Sequence, residues 1–173
     1  RVSTTFGSVG VGADGSFTAY VDPTADIELG VETANGELLL LGVALGSEVQ
    51  LSVQSTAEAL LYYSLGGMWL PLQHQTKMRQ LLRGVEGSSA VAAELTRLLA
   101  AGGNGLTEPD AAFEAALLAA HEALAPLAQA AGLGFADLDL SPMAAGDPNI
   151  LIHNGTTSKA GAQVLHNPGG SGI

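Results

Sequence analysis

Residues 48–70 read EVQLSVQSTAEALLYYSLGGMWL, and this stretch decides the fold. Before it the chain reads as β, and after it as helix. On its N-terminal side Val49, Leu51 and Val53 alternate with Glu48, Gln50 and Ser52, the period of a strand with one buried face. On its C-terminal side Leu60, Leu61, Tyr62, Tyr63 and Leu65 crowd together, and Gly66-Gly67 follows, a pair that ends helices by permitting a left-handed residue. Between the two lies Ser55-Thr56-Ala57-Glu58. This spacing fits a capping box, in which the Ser hydroxyl accepts a first-turn N–H and the Glu side chain reaches back. We therefore expect a β module over residues 1–54 and a helical module over 55–131, with the first helix folded back on the strands to share their core.

Upstream, two dipeptides mark tight turns, Asp14-Gly15 and Asn35-Gly36, because Gly tolerates positive φ. Phe17, Ala19 and Val21 alternate with Ser16, Thr18 and Tyr20, and Ile27, Leu29 and Val31 alternate with Asp26, Glu28 and Glu32. The unbroken run Leu38–Leu41 suits a strand buried on both faces, with Leu39, Leu41 and Val43 toward one layer and Leu38 and Leu40 toward the helices. Together with residues 3–12 and 49–53 these make five expected strands, a small antiparallel sandwich-like module. So few residues make a thin core that needs the helices, or further chain, to close it.

Downstream, Pro71 suits the first turn of a second helix, lined by Leu72, Met78, Leu81 and Leu82 and stopped by Gly84 and Gly87. Lys77, Arg79 and Arg83 lie toward its C-terminus, where cations favour the helix dipole. Ser88 or Ser89 is the expected cap of a third helix carrying Val91, Leu95, Leu98 and Leu99. Thr107-Glu108-Pro109-Asp110 resembles a second capping box, opening a fourth helix. On it Phe113, Leu117, Leu118, His121 and Leu124 recur on one face, and Pro126 kinks it or splits off a last turn. Residues 132–173 then return to β: a short strand within Phe135–Leu140, and a hairpin of Ile150–Ile152 with Gln163–Leu165. This hairpin reads as the opening of a second, incomplete β module. The fold class is α+β. The Arg1 start and the Pro168–Ile173 ending read as those of an excised piece with more chain following.

The 173 residues are 47% hydrophobic, enough for a core, but only 13% charged, about half the usual share. Mean hydropathy is +0.30. Either Gly, Ala, Ser and Thr replace charge on the surface, or a partner or further chain covers part of it. Six Lys+Arg stand against 17 Asp+Glu, a net charge of −11, which disfavours nucleic acid and anionic lipid as partners. With no cysteine, disulfides, thiolate metal sites and Cys nucleophiles are excluded. No apolar run reaches the roughly 18–20 residues that span a bilayer, and no signal peptide is visible.

The segment from Gly7 to Leu41 resembles the carboxypeptidase-regulatory-like, transthyretin-type β modules of exported bacterial proteins. The matching residues are Gly10, Asp14, Gly15, Phe17 and Val21, then Ile27 to Val31 and Asn35-Gly36. The resemblance implies an accessory, non-catalytic sandwich in an exported or cell-surface protein. It does not extend to the helical part.

No catalytic constellation emerges. Ser55 sits at a strand-to-helix junction, but there is no G-x-S-x-G, and the Lys of an S-x-x-K pair is replaced by Glu58, so capping is preferred. His74, His121, His153 and His166 form no H-x-x-x-H or H-E-x-x-H pair. His153 and His166 face each other across the expected hairpin, where a surface metal site with Asp147 is the sharper reading and turn hydrogen bonding the blander one. Asp137 and Asp139 lack the apolar pocket that acid–base carboxylates need. Asp14 and Asp22 stand near turns without a calcium-loop spacing. The one aromatic cluster is Tyr62 and Tyr63 with Trp69, either core or a binding surface. We expect no enzyme, no cofactor and no metal. The leading expectation is a structural or interaction module that self-associates or binds a protein partner by strand addition, with Tyr62, Tyr63, Trp69, His153 and His166 as the candidate surface residues. Two alternatives remain: a small-molecule or peptide binder with a pocket between sheet and helices, and an accessory domain of a secreted hydrolase.

Overall fold

A computed structural model describes residues 1–4, 6–20, 27–44, 49–134, 138–142 and 150–154, with backbone alone at 27, 138–142 and 150–154. Strands β1 (Val2–Thr4), β2 (Gly7–Val9), β3 (Ile27–Glu32) and β4 (Leu38–Ala44) form one open antiparallel sheet in the order β2-β1-β3-β4. Helices α1 (Val53–Ser64), α2 (Leu72–Leu82), α3 (Glu86–Ala100) and α4 (Ala111–Ala130) follow, with a single 3-10 turn at Gly67–Trp69. A separate pair, β5 (Leu138–Pro142) and β6 (Ile150–Asn154), is antiparallel. The chain is α+β, as its patterning predicts, and the sheet neither closes into a barrel nor, among the described residues, meets a second sheet.

Both turn dipeptides are used. Gly15 and Gly36 have φ of 82° and 87°, and Asn35-Gly36 joins β3 to β4 with Thr33 N–H donating to Glu37 O at 2.8 Å. Two expected strands are absent among the described residues. Residues 16–20 form no ladder, although Phe17 and Ala19 are half-buried while Ser16, Thr18 and Tyr20 are exposed. The alternation is a true signal of burial, but no neighbouring backbone pairs with it. Residues 49–51 are also irregular, and Val53 is already helical.

The cause of the second difference is the cap. Ser52, extended at φ −153°, is the N-cap of α1. Its Oγ accepts from Ser55 N–H at 3.2 Å, and Ser55 Oγ accepts from Ser52 N–H at 2.9 Å. The box is reciprocal, with Ser in the place usually held by Glu. Glu58, expected to complete the box, lies a turn further on. Its Oε1 accepts from Gln54 Nε2 at 3.0 Å and from Gly84 N–H at 3.2 Å, tying α1 to the end of α2.

Other helix starts shift for similar local reasons. Pro71 is the residue before α2 rather than its first turn, and Leu72 is exposed instead of lining the core. Ser88 and Ser89 do not cap α3, which begins at Glu86; both hydroxyls donate back to Val85 O. Gly87 lies inside α3 because α4 approaches there: a Cβ would stand 3.3 Å from Ala120 Cβ. Asp110, not Thr107, caps α4, its Oδ1 accepting from Phe113 N–H at 2.9 Å. The helix runs through Pro126 to Ala130. In the C-terminal part β6 pairs with β5, with Leu138 opposite Asn154. The expected partner at 163–165 lies outside the described residues.

Helix α1 is the centre of the molecule and touches β4, α2, α3 and α4. Leu60, Leu61, Tyr62, Met78, Leu82, Leu95, Phe113 and Leu117 are fully buried in the main core. From the sheet, Leu38 and Leu41 join it, not Leu38 and Leu40. The register shift between Val31 and Glu32 sets Val31 opposite Leu40 and Glu32 opposite Leu38. The extra residue is a bulge, which resets the alternation and puts residues three apart on one face. Gly42 lets the chain entering α1 come close, since a Cβ there would collide with the Leu51 side chain. The sheet's own cluster is small: Val2, Leu29 and Ala44.

Candidate functional site

A cleft of about 440 Å³ opens where β4, the irregular residues 49–52, α1 and the end of α2 meet. Its apolar wall is Val43, Val49, Ala59, Tyr62 and Leu82; Gln50, Ser52, Gln54 and Ser55 supply amides and hydroxyls; Glu58, Arg79 and Arg83 supply charge. Each follows from the elements already described. The early start of α1 turns Ser52, Ser55, Glu58, Ala59 and Tyr62 toward one opening. Arg79 in the last turn of α2 and Arg83, the C-cap that follows it, both line the cleft.

Tyr62 forms the rigid floor. It is 2% exposed, and Gly67 lies so close that a Cβ there would run into its ring. The Arg79 guanidinium carbon stands 4.2 Å from the ring centroid, a cation–π contact. Tyr63 meets Tyr62 edge-on with centroids 5.4 Å apart. Burial, and then the Glu28 carboxylate, push the Tyr63 hydroxyl well above the usual tyrosine range, so it stays protonated. The hydroxyls at the α1 cap are engaged in holding structure: Ser55 Oγ donates to Leu41 O at 2.8 Å, and Thr56 Oγ1 accepts from Leu41 N–H at 2.9 Å.

The charge of this cleft is the reverse of the chain's. Two of the six basic residues line it, with one carboxylate. Among the described residues, the ion pairs engage Arg1 and Arg97; Arg83 is exposed and has none.

Of the five candidate surface residues, Tyr62 reaches the cleft. Tyr63, half-buried, and Trp69, 45% exposed on the 3-10 turn, do not line it. His153 lies in β6 with Asp139 as its Cα partner, and His166, like Asp137 and Asp147, lies outside the described residues. His121 is buried, its Nδ1 3.3 Å from Ser64 Oγ. Asp14 Oδ1 accepts from Ser16 N–H and Oγ–H at 3.0 and 2.7 Å, which holds its carboxyl below the usual range. Among the described residues no group of three His, Cys, Asp or Glu is placed to hold a metal ion. One helix, α4, is long and apolar enough by length and composition to cross a membrane; here Phe113, Leu117, His121 and Leu124 turn one side of it into the core.

Sequence reasoning missed Arg79 and Arg83 as site residues. Their spacing on α2 was legible, but their opposite wall, residues 43–59, meets them only in three dimensions. An exposed pair was also missed: Phe6 and Tyr20 stack edge-to-face at 5.1 Å. Comparison of the chain with protein-family models, curated proteins and solved structures finds no match among any of the three.

Proposed function

We propose that this chain is a non-catalytic binding module that takes a small molecule in the cleft between β4, α1 and α2. The observation that carries the reading is the cleft itself. Its volume of about 440 Å³ falls within the range of small-molecule sites, and it combines an apolar wall with a few convergent polar groups. The hydroxyls of Ser52 and Ser55 are held by the α1 cap, and Glu58 Oε1 by Gln54 and Gly84. None is paired with a base as an activated nucleophile would be. A fragment screen followed by amide chemical shifts in the full chain tests this. Hits are expected to move Ser52, Gln54, Glu58 and Leu82. Hits that cluster elsewhere, with these four unmoved, sink the reading.

A second reading is favoured by β5 and β6. They form a sheet of only two strands, with no third strand on either side among the described residues. Two-stranded sheets are marginal alone, so strand addition by a partner or a second copy there fits an interaction module of an exported protein. Light scattering across a concentration series separates the two: a monomer at every concentration rules out self-association through this pair.

A further inference from the structure

We infer that the ligand of this cleft is a small organic monocarboxylate with an apolar body, its carboxylate on Arg83 and its body against the half-buried Val43 and Val49. The inference rests on the cleft reading and adds a ligand class to it. Four observations narrow the chemistry.

An organic cation is disfavoured. The aromatic surface that would attract it is Tyr62, and Arg79 already covers that ring at 4.2 Å. A neutral, wholly apolar ligand leaves Arg83 unused at the mouth. Arg83 is exposed, lines the cleft and makes no ion pair among the described residues. A guanidinium presents its donors as a planar fork matched to a carboxylate. A dianion such as phosphate is disfavoured by Glu58, which lines the same cleft, and by the net charge of −11, since like charge close by costs more as the ligand charge rises. The lining also carries the half-buried aliphatic side chains of Val43 and Val49, which ask for an apolar body. A single negative charge on an apolar group satisfies all four.

The test compares acids with their neutral isosteres on the full chain. Benzoate and indole-3-acetate are titrated against benzamide and indole-3-acetamide, with inorganic phosphate as a third arm, all by amide chemical shifts. The acids are expected to move Ser52, Gln54, Glu58 and Leu82 and to bind about tenfold more tightly than the amides, as befits a charge-assisted pair. In the variant Arg83→Gln that advantage disappears, and the acids bind no more tightly than the amides. The acid-to-amide ratio in the native chain stands as a test even if the variant misfolds. If acids and amides bind the cleft equally, or phosphate binds as well as benzoate, the monocarboxylate inference fails and the cleft reading survives. If the cleft residues respond to none of the acids, the amides or the fragments, both fail together.

Discussion

The two halves of this molecule are held by different means. The helices bury a broad, continuous core in which Leu60, Met78, Leu82, Val91, Phe113 and Leu117 are wholly excluded from water. Among the described residues, the sheet has Val2, Leu29 and Ala44 buried in a cluster of its own, flanked by half-buried Val9, Phe17, Ala19, Val31, Val49 and Leu51. A cluster of that size supplies little hydrophobic stabilisation at about 25 cal/mol per Å². The sheet's order is supplied instead at its junction with α1. Leu38 and Leu41 enter the helical core, and the backbone of Leu41 is bonded to the Thr56 and Ser55 hydroxyls. The lesson is that a thin sheet is stabilised through one well-bonded edge strand rather than across its faces.

The largest effect should come from the helical side. Phe113→Ala is expected to cost about 3–5 kcal/mol, the range for a buried aromatic, read from urea unfolding. Leu29→Ala in the sheet cluster should fall near the low end of the aliphatic range, about 2 kcal/mol. Equal losses for the two would break the contrast between the halves. Thr56→Val keeps the shape but removes the acceptor of Leu41 N–H, and should cost about 1–3 kcal/mol. Its sharper readout is hydrogen exchange: protection should drop at Leu41 and its sheet neighbours before it drops in α3 and α4. Uniform loss would show that the junction does not hold the sheet. Ser52→Ala should cost about 1 kcal/mol as a lost N-cap, with the sheet less affected than by Thr56→Val.

The smallest expected effect is electrostatic and confined to the helices. The Phe113 N–H and then Arg97 hold the Asp110 carboxyl below its ordinary value of 3.8. A depressed carboxyl stabilises the fold above its unfolded pKa, and that contribution disappears as pH falls through the folded value. Helix α4 should therefore loosen at its N-terminus below about pH 3.8. In Asp110→Asn that acid step should shrink, with the cap itself largely kept, because Asn also accepts at this position.

Much of this arrangement is readable in the chain, and the failures have physical reasons. Asn35-Gly36 and Asp14-Gly15 can be read because positive φ demands Gly, whatever surrounds it. The four helices can be read because their apolar faces repeat over many residues. The start of α1 lies three residues before the expected one because Ser52 and Ser55 are both competent caps, and only the bond to Leu41 decides between them. The bulge that sends Leu41 inward depends on its partner strand, which local pattern does not contain. The cleft is invisible in the sequence for the same reason. Arg79 and Arg83 look like ordinary C-terminal helix cations until β4 and α1 are set across from them.

The bonds at Leu41 also bear on how copies of this chain can associate. In the sheet order β2-β1-β3-β4, β4 is one margin, and its outward groups at Leu41 and Leu38 are satisfied by Ser55, Thr56 and the Asn104 side chain. Among the described residues, the β2 margin alone remains to accept another strand from this sheet. Growth of a fibre by sheet extension needs two such margins on every copy, one to give and one to receive. A chain with one of them stoppered can pair β2 to β2 about a twofold axis and then has nowhere further to add. Polymerisation through the four-stranded sheet would end at two.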